Sequence, residues 1–381
     1  MDAPVADEYP CPPPATDNST CAWWEPDPLD PTPTPDEGTC GPLLSQEQVS
    51  RWTQDGFLLL DNIWPAELIF RAAEEAYRYF PLPGQREEGD TGSELSGAVA
   101  RRDARGRLWP GTVQTAPSSL RQIQMPFVDL DDLEASADLA LNYISVHPRM
   151  LSVASQLLRT VESDLRCDLN VLRCRYGVGS ADGNQDMHVD YGNLNLVVPP
   201  RLPYPDAFIL ILYLTHVEDT GGPTHAAKSS PGELTGYGAP FNPPNAPQQA
   251  GRDFKLLERL YATERPVRYR PGTCLLYRLD SWHRGTPVAL GKHRVAQHIT
   301  YRCADAEWAS WQAYSFPMSI MPSRFMVGLS PVQRGTLGFP APGHRYWTKD
   351  TVEAVGRRYE GMDMQCYYEA LEHDNAAAAR L

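Results

Sequence analysis

The sequence predicts an α+β protein in which helices come first and a sandwich or barrel of short strands follows. Between residues 45 and 162, apolar residues recur at helical spacing behind helix-start signals. After residue 165 they gather instead in short β-like runs separated by Gly and Pro. Composition agrees. A chain of 381 residues with 42% hydrophobic and 22% charged residues suits a globular protein with a sizeable core, as one large domain or two ordinary ones.

Residues 1–44 carry eleven prolines, nine acidic residues and no basic one, and read as a disordered or polyproline-like leader. Its apolar exception is "AWW" at 22–24, where two tryptophans are candidates for pinning to the body. Without the leader the net charge of −14 falls to −5, which argues against non-specific nucleic-acid binding. Ser45 and Gln48 have capping-box spacing, and Gly56 is placed to end that helix. "FLLLDNIW" reads as a short strand. Pro65 then opens a helix with apolar residues at 68, 69, 72, 76, 77 and 80. Residues 83–107 read as a loop. Two helical stretches follow: "DLEASADLALNYISVH", and one opened by Pro148 with Met150, Leu151, Ala154, Leu157, Leu158 and Val161 along one side.

The β-like runs are "LNVLRCRYG", "LNLVVPP", "AFILILYLTHVE", "PVRYR", "TCLLYRLD" and "RVAQHITYR", with a Pro271-Gly272 turn between the fourth and fifth. Residues 304–381 are mixed and aromatic-rich, and are expected to form a C-terminal extension packed on the core. The longest apolar stretch, Ala207 to Leu214, is too short to cross a bilayer. The acidic start lacks the order of a secretory signal. Eight cysteines without a C-x-x-C pair point to reduced thiols in an intracellular, cytoplasmic setting. The final Ala379-Arg380-Leu381 fits the relaxed pattern of peroxisomal targeting, with a chance match in an Ala-rich tail as the competing reading.

Chemistry concentrates in "MHVDYG" (187–192) and "DSWHRGTPVALGKHRVAQHITYR" (280–302). In a strand, His188 and Asp190 point to one face. An imidazole beside a carboxylate suits a borderline divalent ion such as Fe(II), and two His with one carboxylate leave three octahedral positions open. His283 ends another β-like run and is the natural third ligand. Arg294, eleven residues on, can hold a distal carboxylate through two parallel hydrogen bonds. Each piece alone reads more simply as a loop or strand residue, and the other seven histidines read as structural or exposed. The joint order of H-x-D, strands, His and Arg in a β-rich region favours a metal site with a seat for an acidic co-substrate.

These residues resemble the phytanoyl-CoA dioxygenase family of Fe(II)/2-oxoglutarate oxygenases over residues 45–303. "LSQEQVSRWTQDGFLLLDNIW" is similar to the family's opening helix and strand. "VEDTGGPTHAAKSSPGE" is similar to its Asn/Asp-Gly-Pro turn, although Ser230-Pro231-Gly232 departs from the usual Pro-Gly-Ser order. The resemblance implies a double-stranded β-helix (jelly-roll) core over 163–303, flanked by N-terminal helices in 45–162. It implies His188, Asp190 and His283 as catalytic iron ligands and Arg294 as the residue that binds the far carboxylate of 2-oxoglutarate. Related halogenases carry a small residue at the Asp190 position, so the carboxylate here implies hydroxylation. The implied cofactors are Fe(II), 2-oxoglutarate and O2, with ascorbate as a candidate reductant, and the implied substrate is a small molecule or an acyl-CoA.

Other residues say less about substrate. Arg101, Arg102, Arg105 and Arg107 can meet CoA phosphates or form a solvated loop. Arg121 and Gln124 are candidates to reach the co-substrate or substrate, and Trp282 to wall the pocket, against core or strand-edge roles. Two other function classes stay open: a non-catalytic jelly-roll with a structural metal, and a cupin-like metal-dependent hydrolase. Turnover of 2-oxoglutarate discriminates them, and in both Arg294 has no task.

Overall fold

Every residue of the apolar run Ala207–Tyr213 is buried in the computed structural model, so this strand needs cover on both faces. The structure describes residues 22–29, 42–80, 112–113, 120–125, 127, 139–177, 184–185, 187–190, 204–228, 254–306, 323–337, 339–344, 347, 349, 352, 355–356, 359 and 361–378. The strands are β1 (Asp27–Pro28), β2 (Phe57–Asp61), β3 (Thr112–Val113), β4 (Leu120–Gln124), β5 (Leu165–Tyr176), β6 (Ala207–Tyr213), β7 (Thr224–Ala226), β8 (Arg265–Pro266), β9 (Cys274–Arg278), β10 (His283–Gly285) and β11 (His293–Cys303).

The larger sheet has the order β1-β2-β9-β6-β11-β5-β4-β3, antiparallel except for the β1–β2 pair. The smaller has the order β10-β7-β8, extended by a bridge between His188 and His283. From β5 to β11 the chain therefore alternates between the sheets: large, small at 188, large, small twice, large, small, large. Two sheets wound together in this way form the jelly-roll, and with the helices the class is α+β.

Strand alternation then sorts the side chains. Ile209, Ile211, Tyr213, Leu275, Tyr277 and Ala296 face the smaller sheet and pack with Ala226, Val267 and Trp282. Phe208, Leu210, Leu212, Leu276, Val295 and Ile299 face the other way, onto the helical layer. That layer includes α1 (Gln46–Asp55), α2 (Ala66–Tyr79), α3 (Ala140–Ile144) and α4 (Pro148–Leu158). Ser45 and Gln48 close the capping box of α1, and Gly56 ends it at φ 83°. Pro148 opens α4, but Arg159 in the left-handed region (φ 53°) stops it. Val161, expected on the buried side of this helix, therefore lies past its end and is 60% exposed.

Residues 22–29 of the Pro-rich stretch lie on the body. The Trp24 indole donates to the Ala226 carbonyl at 3.0 Å, its ring meets Phe57 edge-on at 5.3 Å, and Leu29 is buried. Among the described residues no helix is long and apolar enough to cross a membrane. The run "LNLVVPP", the Arg101–Arg107 cluster and the Ala379-Arg380-Leu381 terminus lie outside the described residues.

Candidate metal and co-substrate site

His188 and His283 face each other across the bridge, each N–H donating to the other's carbonyl at 3.0 Å. The 187–190 segment thus runs as one more rung beside β10, and the Asp190 N–H is anchored on the Leu279 carbonyl at 3.1 Å. One ligand atom from each of His188, Asp190 and His283 lies within 4.8 Å of the other two. The His188 Nε2 is 3.6 Å from Asp190 Oδ1, and the His283 Nε2 is 3.6 Å from Oδ2.

The surroundings leave these groups able to act as donors to a metal. His283 Nδ1 stands 3.0 Å from the Ser281 carbonyl, which can only accept, so Nδ1 carries the proton and Nε2 keeps its lone pair. Burial, assisted by His188 and opposed by Asp190, pushes His283 down to about 4, so the ring is neutral at pH 7. Burial by itself would raise Asp190. His283, His188, the Tyr277 hydroxyl and Arg173 outweigh it and hold the carboxyl below its usual range. Tyr277 donates to Oδ2 at 2.7 Å; burial and the nearby carboxylate push its own phenol well up, so it remains a donor.

A cavity of about 90 Å³ between the sheets contains all three residues and, on β11, Arg294. Arg294 Nη1 donates to the Gly222 carbonyl. The "TGGP" turn delivers that oxygen because residue 222 has no side chain: a Cβ there would meet the Pro287 carbonyl oxygen at 2.4 Å. Tyr213 and Tyr269 stack at 3.9 Å beside it, with hydroxyls bonded to Thr224 and Thr220 at 2.8 and 2.7 Å.

Behind β10 a buried charge network ties the site's segments together. Arg284, fully buried, forks onto Glu264 at 2.8 and 2.7 Å and reaches the Asn184 side chain at 2.6 Å. The His225 Nδ1 lies 3.3 Å from the same carboxylate. A bidentate pair at this depth is costly to break.

The structure therefore brings together all four residues picked from the sequence, His188, Asp190, His283 and Arg294. Of the weaker candidates, Gln124 stands on β4 away from the cavity lining, and Trp282 packs into the apolar cluster between the sheets. The Arg121 side chain lies outside the described residues. Sequence reasoning missed Arg173, Arg175, Tyr277 and His298, all of which line the cavity. His298, grouped above with the structural histidines, stands two positions from Ala296 and four from Arg294 on the same strand face. Burial and its neighbours Arg173 and Arg294 push its pKa well down. The available signal was parity: 294, 296 and 298 share a face, as do 173 and 175 in "LRCRY".

No family model matches this chain, and no curated protein matches it. Solved structures do. The epimerase SnoN, in complex with Fe3+, alpha ketoglutarate and nogalamycin RO, is 14% identical over 68% of this chain and 83% of its own, with a TM-score of 0.44. EctD from S. alaskensis, with 2-oxoglutarate and 5-hydroxyectoine, is 18% identical over 70% and 79%, with a TM-score of 0.46. The non-heme alpha ketoglutarate dependent carbocyclase SnoK from nogalamycin biosynthesis is 15% identical over 74% and 95%, with a TM-score of 0.45. Likenesses this distant leave the function to the geometry of the site.

Proposed function

We propose that the chain is an Fe(II)- and 2-oxoglutarate-dependent oxygenase that hydroxylates a small molecule, with residues 45–303 as its catalytic unit. The observation that carries this reading is the meeting of two imidazoles and one carboxylate within 4.8 Å, in the cavity that also holds Arg294. The donors fit the ion: neutral imidazole and carboxylate suit Fe(II), and three donors leave room for a chelating co-substrate and oxygen. Bound there, the ion would supply oxygen activation coupled to decarboxylation of 2-oxoglutarate to succinate.

The remaining work belongs to the chain. Arg294, steadied by the Gly222 carbonyl, offers a guanidinium to the distal carboxylate. Ser281 fixes the His283 tautomer and Tyr277 fixes the Asp190 carboxylate, so the donors are oriented before the ion arrives. Ile211, Ala296 and Leu120 supply apolar wall that limits water. A structural metal or a hydrolytic site would leave Arg294 without a task. Within this reading the resemblance to the phytanoyl-CoA dioxygenase family keeps acyl-CoA thioesters among the substrates to assay.

Anaerobic titration with Fe(II) and then 2-oxoglutarate tests the proposal through the weak visible band of the chelate. The band should form in the wild type. In Arg294→Ala the co-substrate concentration that gives half the band should rise by about 10- to 150-fold, the worth of a charge-assisted hydrogen bond. Metal binding without a band would overturn the reading in favour of a structural or hydrolytic site.

A further inference from the structure

The segment 22–29 pairs with an outer edge of each sheet. The Trp24 N–H donates to the Pro266 carbonyl and the Trp24 carbonyl accepts from the Arg268 N–H, each at 3.0 Å. These bonds form a parallel bridge to Val267, on the β8 edge of the smaller sheet. A few residues on, β1 pairs with β2 at the edge of the larger sheet, and the Leu29 N–H donates to the Asp61 carbonyl at 3.0 Å. One short stretch thus satisfies backbone groups that two edge strands would otherwise leave open.

Surface charge does not account for this seat. Glu25 meets Arg268 at 2.9 Å, but both side chains are exposed, and such pairs contribute little. The half-buried Trp24 is held more firmly. Its ring meets Phe57 edge-on, lies 4.7 Å from the Arg265 guanidinium and lies 5.4 Å from the Lys228 ammonium. Its indole N–H ends on the Ala226 carbonyl at 3.0 Å.

That acceptor has a particular place. His188 bridges His283, His283 pairs with Ala226, and Ala226 pairs with Arg265. Both histidines of the triad and two of the Trp24 contacts therefore stand in one row across the smaller sheet. The row has little backbone to fix it, since β7 and β10 are three residues long and β8 is two. Strands this short are weak on their own, so a side-chain anchor at the end of the row counts for more.

We propose that Trp24 is a positioning residue for the metal site. Through Ala226 it fixes β7 against β10 and so holds His283 in the geometry of the triad, with residues 22–29 as the strap that keeps the indole in place. The assignment rests on the oxygenase reading for the identity of the ion, and adds to it a residue far from every ligand in sequence.

Two variants of the full chain test it. Trp24→Phe keeps a ring against Phe57 and removes the N–H donor. Leu29→Ala loosens the strap at the larger sheet and leaves the indole bond in place. Amide hydrogen exchange of the metal-free chain should quicken at 224–227 and 282–285 in Trp24→Phe, while β5 exchanges as in the wild type and shows that the chain is folded. Fe(II) affinity, read by calorimetry under argon, should fall about tenfold in Trp24→Phe, the low end for a partner beyond the ligands themselves. Leu29→Ala should lower the denaturant midpoint and bind Fe(II) as the wild type does. Unchanged exchange or unchanged Fe(II) affinity in Trp24→Phe would overturn the proposal. So would an equal loss of affinity in both variants, because the strap would then act only as a general stabiliser. If the wild type binds no Fe(II), the metal reading has failed on its own, and the exchange at 224–227 and 282–285 still decides whether Trp24 steadies the row.

Discussion

Strands β5 and β11 run side by side through the middle of the larger sheet, and their two faces could hardly differ more. On the helical side stand Leu172, Cys174, Tyr176, Val295, Gln297, Ile299 and Tyr301, each no more than 2% exposed. Polar groups there donate to neighbours too: the Gln297 amide nitrogen donates to Asn170 and to the Leu141 carbonyl at 2.8 Å, and the Tyr301 hydroxyl donates to the Ser145 carbonyl at 2.9 Å. On the cavity side the same strands present Arg173, Arg175, Arg294 and His298. One face holds the sheet to the helices, and the other gives up packing to place charge beside the triad. Stability and chemistry are thus separated by strand parity alone, a residue apart in sequence.

If that division is right, each face should respond to substitution in its own way. The largest effect belongs to the cavity: Asp190→Ala removes the one carboxylate of the triad and should weaken Fe(II) binding by more than about a hundredfold, with no 2-oxoglutarate turnover. Without metal it should also lose some thermal stability, because Tyr277 and Arg173 lose the carboxylate they face. Calorimetry and a succinate assay read both, and hydroxylation by this variant would sink the ligand assignment.

The mirror experiment is Ile299→Ala on the helical face. It should cost about 2–5 kcal/mol in denaturant unfolding, while the folded protein binds Fe(II) and 2-oxoglutarate as before. A selective loss of metal affinity would blur the division.

Tyr277→Phe returns to the cavity with a smaller change. It keeps the ring and removes the 2.7 Å hydrogen bond to Asp190. Metal affinity should fall by about 10- to 100-fold, and an unchanged affinity would mean that the hydroxyl does not orient the carboxylate.

The smallest effect is one of pH. His147, on the helical side, caps α4 by accepting from the Arg149 N–H and is pushed down to about 4, by burial first and Arg149 second. Its folded value lies below the unfolded value of about 6.5, so the unfolded chain binds the extra proton. The stability tied to its neutral form is complete above that pH and drains away as pH falls towards 4, by at most about 1.4 kcal/mol per unit. In His147→Asn, which retains a capping side chain, the acid slope of the unfolding free energy should flatten by that amount. His283, on the other face, contributes in the same direction and is untouched by this variant. An unaltered slope would place the titration elsewhere.

The legible parts of the molecule were those governed by neighbours in sequence. The capping box at Ser45 and Gln48, the left-handed Gly56 and the helix start at Pro148 rest on interactions spanning a few residues. The run at 207–213 was legible as a strand from its unbroken apolar character, and the structure buries every residue of it. The spacing of His188 and Asp190, with His283 and Arg294 further on, was likewise open to reading as a set. The three-residue strands β7 and β10 carried no such signal, because each is held by partners thirty-nine or more residues away. Nor did Arg173 and Arg175 stand out, since R-x-R in a strand reads as a solvated edge until the sheet is seen to close over it.

By itself, then, the sequence determined the helices before strands, the alternation that gives each strand two faces, and the residue types able to hold a metal and a dicarboxylate. Tertiary structure alone decided which face became cavity and which became core. It did so because the α helices cover one side of the larger sheet with apolar surface, while the short smaller sheet leaves a gap on the other. Into that gap come four segments distant in sequence, and with them the charges of β5 that no local pattern could assign.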